Sequence, residues 1–180
     1  MALDSDNVRV AVTGAVYVAP TGTALPSYAD EALDAAFTDL GYVSADGIVE
    51  TIDRSTEQIR SWQDGSLVRE ITSEGTYSVE LTFIETNEDV VELYYGASLS
   101  SGSMDIDPRS SGGRQSFVID VIDGTSIERT RIPSGEITSV GERTLASGEA
   151  IGYTVTITAY ADASEIVATK QFTDFGSTEP

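Results

Sequence analysis

Short segments of alternating apolar and polar residues constrain the fold of this chain more than any other feature. The clearest segment is 76–85, in which every second residue is apolar: Tyr77, Val79, Leu81 and Phe83. A period of two is typical of an antiparallel strand with one face on the core and one in water. About ten such segments, separated by turn signals every eight to twelve residues or so, predict a mainly β fold. That pattern indicates a β-sandwich or split barrel, with one short α-helix on its flank.

The flanking helix is predicted at Asn87 to Tyr95. Asn87 is a candidate N-cap, acidic residues follow in the first turn, and an apolar stripe then continues to Gly96, which supplies the stop. A second, shorter helical turn is predicted within 28–37. There Leu33 and Phe37 are four residues apart and follow small and acidic residues.

Glycines mark the expected breaks between strands. Asp46-Gly47 and Glu74-Gly75 are each typical of a hairpin turn between two strands. Gly14 lies within a run of alternating valines, which predicts a kink or bulge in the first strand. The first two positions therefore give expected strand boundaries, and Gly14 gives a kink within a strand.

The 180 residues are sufficient for a single domain with one core, and we assign 1–180 to that domain. Flexible ends are predicted at 1–7 and 174–180. Residues 53–66 are polar, with few apolar anchors, and are too long for a tight turn. They predict a protruding loop or ribbon, and long loops in compact domains usually carry function.

The charge of the chain is extreme. Thirty Asp and Glu residues against ten Lys and Arg give a formal net charge of −20. Such a surface repels nucleic acid and anionic lipid, so it argues against a protein that grips DNA or a membrane. It is compatible with a protein that surrounds DNA without binding it. Solubility or adaptation to high salt is an alternative explanation of the acidity.

The residue types exclude most catalytic chemistry. The chain has neither His nor Cys, so Ser-His-Asp and Cys-His catalysis and every imidazole or thiolate metal site are ruled out. Lys170 is the only lysine and is expected to be a surface charge. No calcium-loop, Walker or dinucleotide-binding pattern is present. We therefore predict a protein that is not an enzyme and has no metal or cofactor. The acidic start, MALDSDNVRV, leads us to expect no Sec-type export.

The predicted loop carries the most informative side chains. Trp62 is the only tryptophan, and in such a polar segment it is either a core plug or an interface anchor. Arg54, Arg60 and Arg69 bracket it. Each arginine in so acidic a chain is expected to pair with a carboxylate, in the same chain or in another subunit.

Several of these segments, in this order and spacing, resemble the major tail (tail tube) proteins of long-tailed bacteriophages. The resemblance covers about residues 8–96 and is carried by five segments: GAVYVAPTGT at 14–23, LGYVS at 40–44, SWQ at 61–63, VREITSE at 68–74 and LYYG at 93–96. It implies two packed antiparallel sheets with the helix on the flank.

The resemblance also implies an assembly. Six copies form a ring, their sheets join around a central channel, and the rings stack into a tube through which DNA passes without specific binding. The 53–66 loop corresponds to the inter-ring contact, which gives that role to Ile59, Arg60 and Trp62. The implied partners are further copies and the tape measure, tail terminator and distal tail proteins. The implied location is the virion tail, assembled in the host cytoplasm, with no membrane association.

Two other readings remain open from the sequence. One is a different tail ring component, such as a distal tail or tail-terminator protein with a related sandwich. The other is an immunoglobulin-like or carbohydrate-binding surface module. Electron microscopy of the purified protein distinguishes the three, because they predict long tubes, single rings and monomers respectively.

Overall fold

The computed structural model describes Leu3 and residues 7–175, which form eight strands and one helix. The mainly β prediction with one short helix is confirmed. The predicted flexible ends, 1–7 and 174–180, lie mostly outside the described residues. The elements are β1 (Thr13–Pro20), β2 (Thr38–Asp39), β3 (Val43–Arg60), β4 (Leu67–Phe83), α1 (Glu88–Tyr95), β5 (Arg114–Asp123), β6 (Ser126–Val140), β7 (Tyr153–Ala159) and β8 (Thr169–Phe172).

Hydrogen bonds join all eight strands into one antiparallel sheet, where two packed sheets were expected. Its order is β2-β1-β5-β6-β7-β4-β3, and β8 pairs with β6 outside this path. The long strand β6 changes partner along its length, with 128–131 pairing with β8 and 135–140 with β7. The sheet curls, as an ion pair between Lys170 of β8 and Glu50 of β3 shows. These two strands share no backbone hydrogen bonds, so only curling brings them together.

The core lies inside this curled sheet and under the helix. Its buried side chains come from β1, β4, β5, β6, β7 and α1. The largest fully buried ones are Tyr153, Phe83 and Phe117. Burial of each large side chain contributes roughly 1.5–3 kcal/mol to the free energy of folding. The apolar residues at every second strand position therefore hold the curled sheet together.

Helix α1 begins and ends where its capping residues predict. The Asn87 side chain accepts a hydrogen bond from the Val90 amide at 2.8 Å, and Gly96 takes the left-handed conformation with φ +62°. Val90 and Leu93 are buried against the sheet. The Tyr94 hydroxyl donates to the Gly141 carbonyl at 2.8 Å, which fixes the end of the helix beside β6.

The hairpin turns predicted at Asp46-Gly47 and Glu74-Gly75 are wrong. Asp46-Gly47 lies inside β3, where the register shifts and Gly47 has φ +77°. An aspartate–glycine pair suits a bulge as well as a turn, because both need a residue with positive φ. Glu74-Gly75 lies inside β4, with Gly75 paired to Arg54. The chain instead turns between β3 and β4, which are consequently 18 and 17 residues long.

The predicted kink at Gly14 is also absent. β1 pairs with β5 in unbroken register from Thr13 to Pro20. The glycine is required by a close approach, since a Cβ atom there would lie 2.5 Å from the Asp120 carbonyl oxygen.

The short helix predicted at 28–37 does not form, and the segment is an irregular loop of turns. Its own backbone bonds are two turns, from the Glu31 amide to the Tyr28 carbonyl and from the Phe37 amide to the Asp34 carbonyl. A side chain of the sheet also binds carbonyls of this segment. Arg129 donates through Nη1 to the carbonyls of Glu31 at 2.6 Å and Tyr28 at 3.3 Å. These hydrogen bonds come from a residue about one hundred positions along the chain. The four-residue spacing of Leu33 and Phe37 could not reveal them, so the helix prediction failed.

Candidate assembly surface

A two-stranded ribbon projects from the sheet. The last residue of β4 that pairs with β7 is Tyr77, and beyond it only β3 and β4 remain paired. We call residues 53–76 the ribbon. It includes the segment predicted as a protruding loop, 53–66, of which 53–60 is strand. Eight strand residues beyond the sheet give a projection of about 26 Å.

The ribbon has almost no core of its own. Its residues are exposed, except that Ser61 and Ile71 are partly covered. Its apolar side chains, Ile59, Leu67 and Val68, are roughly half or more exposed. An isolated two-stranded ribbon is marginally stable in water, and both of its edges carry unpaired backbone groups. Contact with another protein surface would therefore stabilise the ribbon.

The tip of the ribbon is a well-ordered polar turn. The Ser61 amide donates to the Ser66 carbonyl at 2.8 Å and the Gly65 amide to the Ser61 carbonyl at 3.1 Å. The Asp64 carboxylate accepts from the Ser61 hydroxyl and from the Ser66 amide. These hydrogen bonds lower the pKa of Asp64 to about 2. Asp64 therefore keeps its charge, and the turn its hydrogen bonds, to a lower pH than an ordinary aspartate would allow.

This turn presents Trp62 to solvent. The side chain is 95% exposed, the largest exposure of any aromatic side chain in the described chain. The core-plug alternative for Trp62 is therefore wrong within a single subunit. An indole on a closed turn is a rigid apolar group at the far end of the molecule, as an interface anchor requires.

The ribbon arginines differ from most arginines of the body. In the body, Arg9, Arg109, Arg114 and Arg129 each form a salt bridge with a carboxylate. Within residues 7–175, no carboxylate lies within salt-bridge distance of the three ribbon arginines: Arg54, Arg60 and Arg69. Arg60 donates only to the Gln58 side chain at 2.9 Å and the Gly65 carbonyl at 3.3 Å. That these residues and Ile59 contact another subunit stays a prediction.

A lysine latch joins the root of the ribbon to the body. Lys170 of β8 forms ion pairs with Glu50 of β3, at 2.7 Å, and with Glu128 of β6. The Tyr77 hydroxyl donates to Glu50 at 2.9 Å. Burial alone lowers the pKa of Lys170, but hydrogen bonds to Glu128 and Glu50 outweigh it and raise the pKa. Burial and the Glu50 charge raise the pKa of Tyr77.

We expect Lys170→Met to loosen the root of the ribbon. Two carboxylates would then face each other without a cation across strands that share no backbone hydrogen bonds. Because the latch is partly exposed, the loss of unfolding free energy should be only about 1 kcal/mol. Hydrogen exchange should rise at Glu50, Thr51 and Ile52, whereas Lys170→Arg should leave it unchanged. Equal exchange in all three proteins would contradict the latch.

The sequence signals missed two parts of this surface. The ribbon extends to Thr76, beyond the predicted loop, because 67–76 reads equally well as a strand of the body. Lys170 is an exposed charge, as predicted, but its role as a latch depends on the curl of the sheet, which brings β3 beside the paired strands β6 and β8. No local pattern reports that curl.

Other kinds of site are not found in the described part of the chain. Residues 7–175 contain no group of three or more metal-ligating side chains. None of the helices described is long and apolar enough to cross a membrane.

A family model described as "Phage tail tube protein" matches residues 1–175. Among curated proteins no relative matches. A solved chain from the virion of a native gene transfer agent particle is 12% identical, with a TM-score of 0.44 over 78% of this chain and 92% of that one. A chain of the anti-feeding prophage tube-terminating cap is 13% identical, with a TM-score of 0.47 over 95% and 99%.

Proposed function

This chain belongs to the phage tail tube protein family, and from that premise we propose that six copies form a ring and that rings stack into a hollow tail tube. It is a structural tail protein, and its work is assembly, not catalysis. Its proposed partners are further copies of itself and the tape measure, terminator and distal tail proteins at the ends of the tube. The proposed setting is the virion tail, built in the host cytoplasm.

The ribbon is the single observation that carries this proposal. It projects about 26 Å beyond the sheet and carries an exposed tryptophan and three arginines without carboxylate partners in the described chain. A surface of this kind that meets a different surface on the next copy gives a heterologous contact, which propagates as a filament. The proposed contact residues between rings are Ile59, Arg60 and Trp62 near the tip, Arg69 directly opposite Ile59, and Arg54 near the root.

The net charge fits a conduit for DNA. A ring of six copies would carry about −120. Acidic side chains that line a channel repel phosphate over about 8 Å at physiological salt, so DNA slides without being held. That charge is too large for the channel alone. Other carboxylates therefore face outward or meet arginines across subunit contacts.

Electron microscopy of the purified full chain tests the proposal. Hollow tubes of uniform diameter with sixfold rings are expected as protein concentration rises. A preparation that contains only single rings, or only monomers at high concentration, would contradict it. Added duplex DNA should not co-sediment with the tubes at physiological salt, because the channel and the outer surface both repel it.

We expect Trp62→Ala to weaken stacking without unfolding the subunit. The side chain makes no core contact, so thermal unfolding of the monomer should not change. The concentration needed for tube formation should rise by about tenfold or more if the indole is an interface anchor. Tyr42→Ala is the matched control, because Tyr42 is an exposed aromatic on the body away from the ribbon. Tubes of normal length from Trp62→Ala would remove the tip from the stacking contact.

A further inference from the structure

A cleft at the opposite end of the molecule has the shape and chemistry to receive the ribbon tip. It has a volume of about 450 Å³ and lies between the C-terminal end of α1, the segment 106–111 and the last residues of β6. Leu93, Ile106 and Val140 give it apolar walls, and Arg109, Asp107 and Ser139 give it a polar rim. On the basis of the proposed stacking, we propose that this cleft binds Trp62 of a second copy of the chain.

The register of the sheet places the cleft far from the tip of the same chain. The wall residue Val140 pairs with Val155, and Val155 pairs with Leu81. From Leu81 back to Leu67, where β4 leaves the turn, the strand rises about 45 Å. The tip therefore cannot reach its own cleft. Two different surfaces at opposite ends of one subunit form a head-to-tail contact that does not close.

The cleft offers the three kinds of contact that an indole makes: apolar packing, a hydrogen bond from its N–H, and stacking with a cation. The aliphatic walls receive the ring, and the Asp107 carboxylate or the Ser139 hydroxyl can accept a hydrogen bond from the indole N–H. Arg109 is held by Asp107 through two hydrogen bonds of 3.0 Å. Its planar guanidinium is thus pre-oriented at the rim, where it can lie over the face of an aromatic ring.

The ribbon arginines can pair with carboxylates beside the cleft. Helix α1 beside the cleft carries Glu88 and Asp89 in its first turn and no basic residue in its last. Asp89 and Glu92 line a second cleft that shares Leu93 and Gly96 with the first. The ribbon brings Arg54, Arg60 and Arg69, which have no carboxylate partner within the described residues of their own chain. The ribbon as a whole is not basic, since it also holds five carboxylates. The match is between its three arginines and the carboxylates beside the cleft.

Engineered cysteines test the contact directly, because the chain has none of its own. A Gln63→Cys chain, which keeps Trp62, mixed with a Ser139→Cys chain under oxidation should give covalent dimers. The double variant should give a ladder of longer multimers. The control replaces Ser139→Cys with Ser164→Cys, an exposed serine outside the cleft, and should give neither product. Absence of the Gln63–Ser139 link in chains that assemble would overturn the proposal.

Fluorescence tests the same contact without a cross-link. Trp62 is the only tryptophan, so its emission should shift to shorter wavelength when subunits assemble. Ser139→Arg should fill the cleft and raise the assembly concentration by about tenfold or more, with the shift lost at concentrations where wild type assembles. Ser164→Arg should behave as wild type. Assembly with unchanged emission, or equal assembly of the two arginine variants, would overturn the cleft as the receptor.

The two experiments separate this inference from the tube itself. Tubes that form without the cysteine link or the emission shift leave the tube proposal intact and reject the cleft. A link that forms in head-to-tail chains without sixfold tubes supports the cleft and rejects the ring-and-tube proposal. If the emission shift survives Ser139→Arg, the tip binds another surface and the cleft is rejected.

Discussion

Replacement of Asp120 by alanine should destabilise the monomer by about 3–5 kcal/mol, because it leaves a buried guanidinium without its counter-charge. Asp120 of β5 and Arg129 of β6 are cross-strand partners, joined by two hydrogen bonds of 2.7 Å. Both side chains are less than one tenth exposed. Urea unfolding at a protein concentration below that of assembly measures the change.

The loss should extend beyond the sheet. Arg129 also donates to the carbonyls of Glu31 and Tyr28, so the 28–37 loop depends on the same guanidinium. Faster hydrogen exchange in that loop should therefore accompany Asp120→Ala. Removal of both charges, as Asp120→Leu with Arg129→Met, should recover part of the unfolding free energy, since neither variant residue is a buried unpaired ion.

An exposed pair of the same chemistry provides the control. Asp107 and Arg109 form an equally bidentate pair, but both side chains are at least half exposed. Asp107→Ala should leave the unfolding midpoint of the monomer unchanged, because water solvates the freed guanidinium. If Asp120→Ala lowered the unfolding free energy as little as Asp107→Ala does, the buried pair would not be what holds the 28–37 loop against the sheet.

Local signals predicted the elements whose determinants are local. Helix α1 is fixed by Asn87 and Gly96 at its ends, and both act on the backbone within one turn. The tyrosine-to-phenylalanine alternation of β4 is equally local, because every second residue faces the same core. These residues specify an element before any tertiary contact forms, so the sequence alone was sufficient for them.

The errors lie where a local signal has two structural solutions. Asp46-Gly47 supplies a positive φ, which either a hairpin or a bulge uses, and only the partner strand decides between them. Gly14 suggested a bend, but the glycine serves a close contact with a strand more than one hundred residues further along the chain. The loop at 28–37 has helical spacing, yet a distant arginine binds its carbonyls.

One part of the candidate assembly surface could be predicted from the sequence, and the other could not. Trp62 stood out because it is a lone tryptophan in a polar stretch, and its exposure on the ribbon tip agrees with an anchor. The cleft gave no sequence signal at all. Its walls come from the end of α1, the 106–111 segment and the end of β6, and only the packing of the helix on the sheet brings these three together.

Gly14→Ala should be the second strongly destabilising substitution, at about 1–3 kcal/mol. The added methyl group would lie 2.5 Å from the Asp120 carbonyl oxygen. That atom belongs to the backbone of β5, so no side-chain rotation relieves the clash, and β1 must move away from its partner. The movement would also disturb Asp120 itself, so we expect the effect toward the upper end of that range.

Gly75→Ala is the matched control for this substitution. Its nearest atom would be 3.9 Å away, which is ordinary contact, and its φ is not positive. Loss of a flexible glycine from a strand should then leave stability unchanged or raise it by up to about 1 kcal/mol. Urea unfolding of both monomers at one protein concentration decides the matter. Equal midpoints for the two variants would show that β1 tolerates a side chain at Gly14 and that the close approach to β5 is not what requires glycine there.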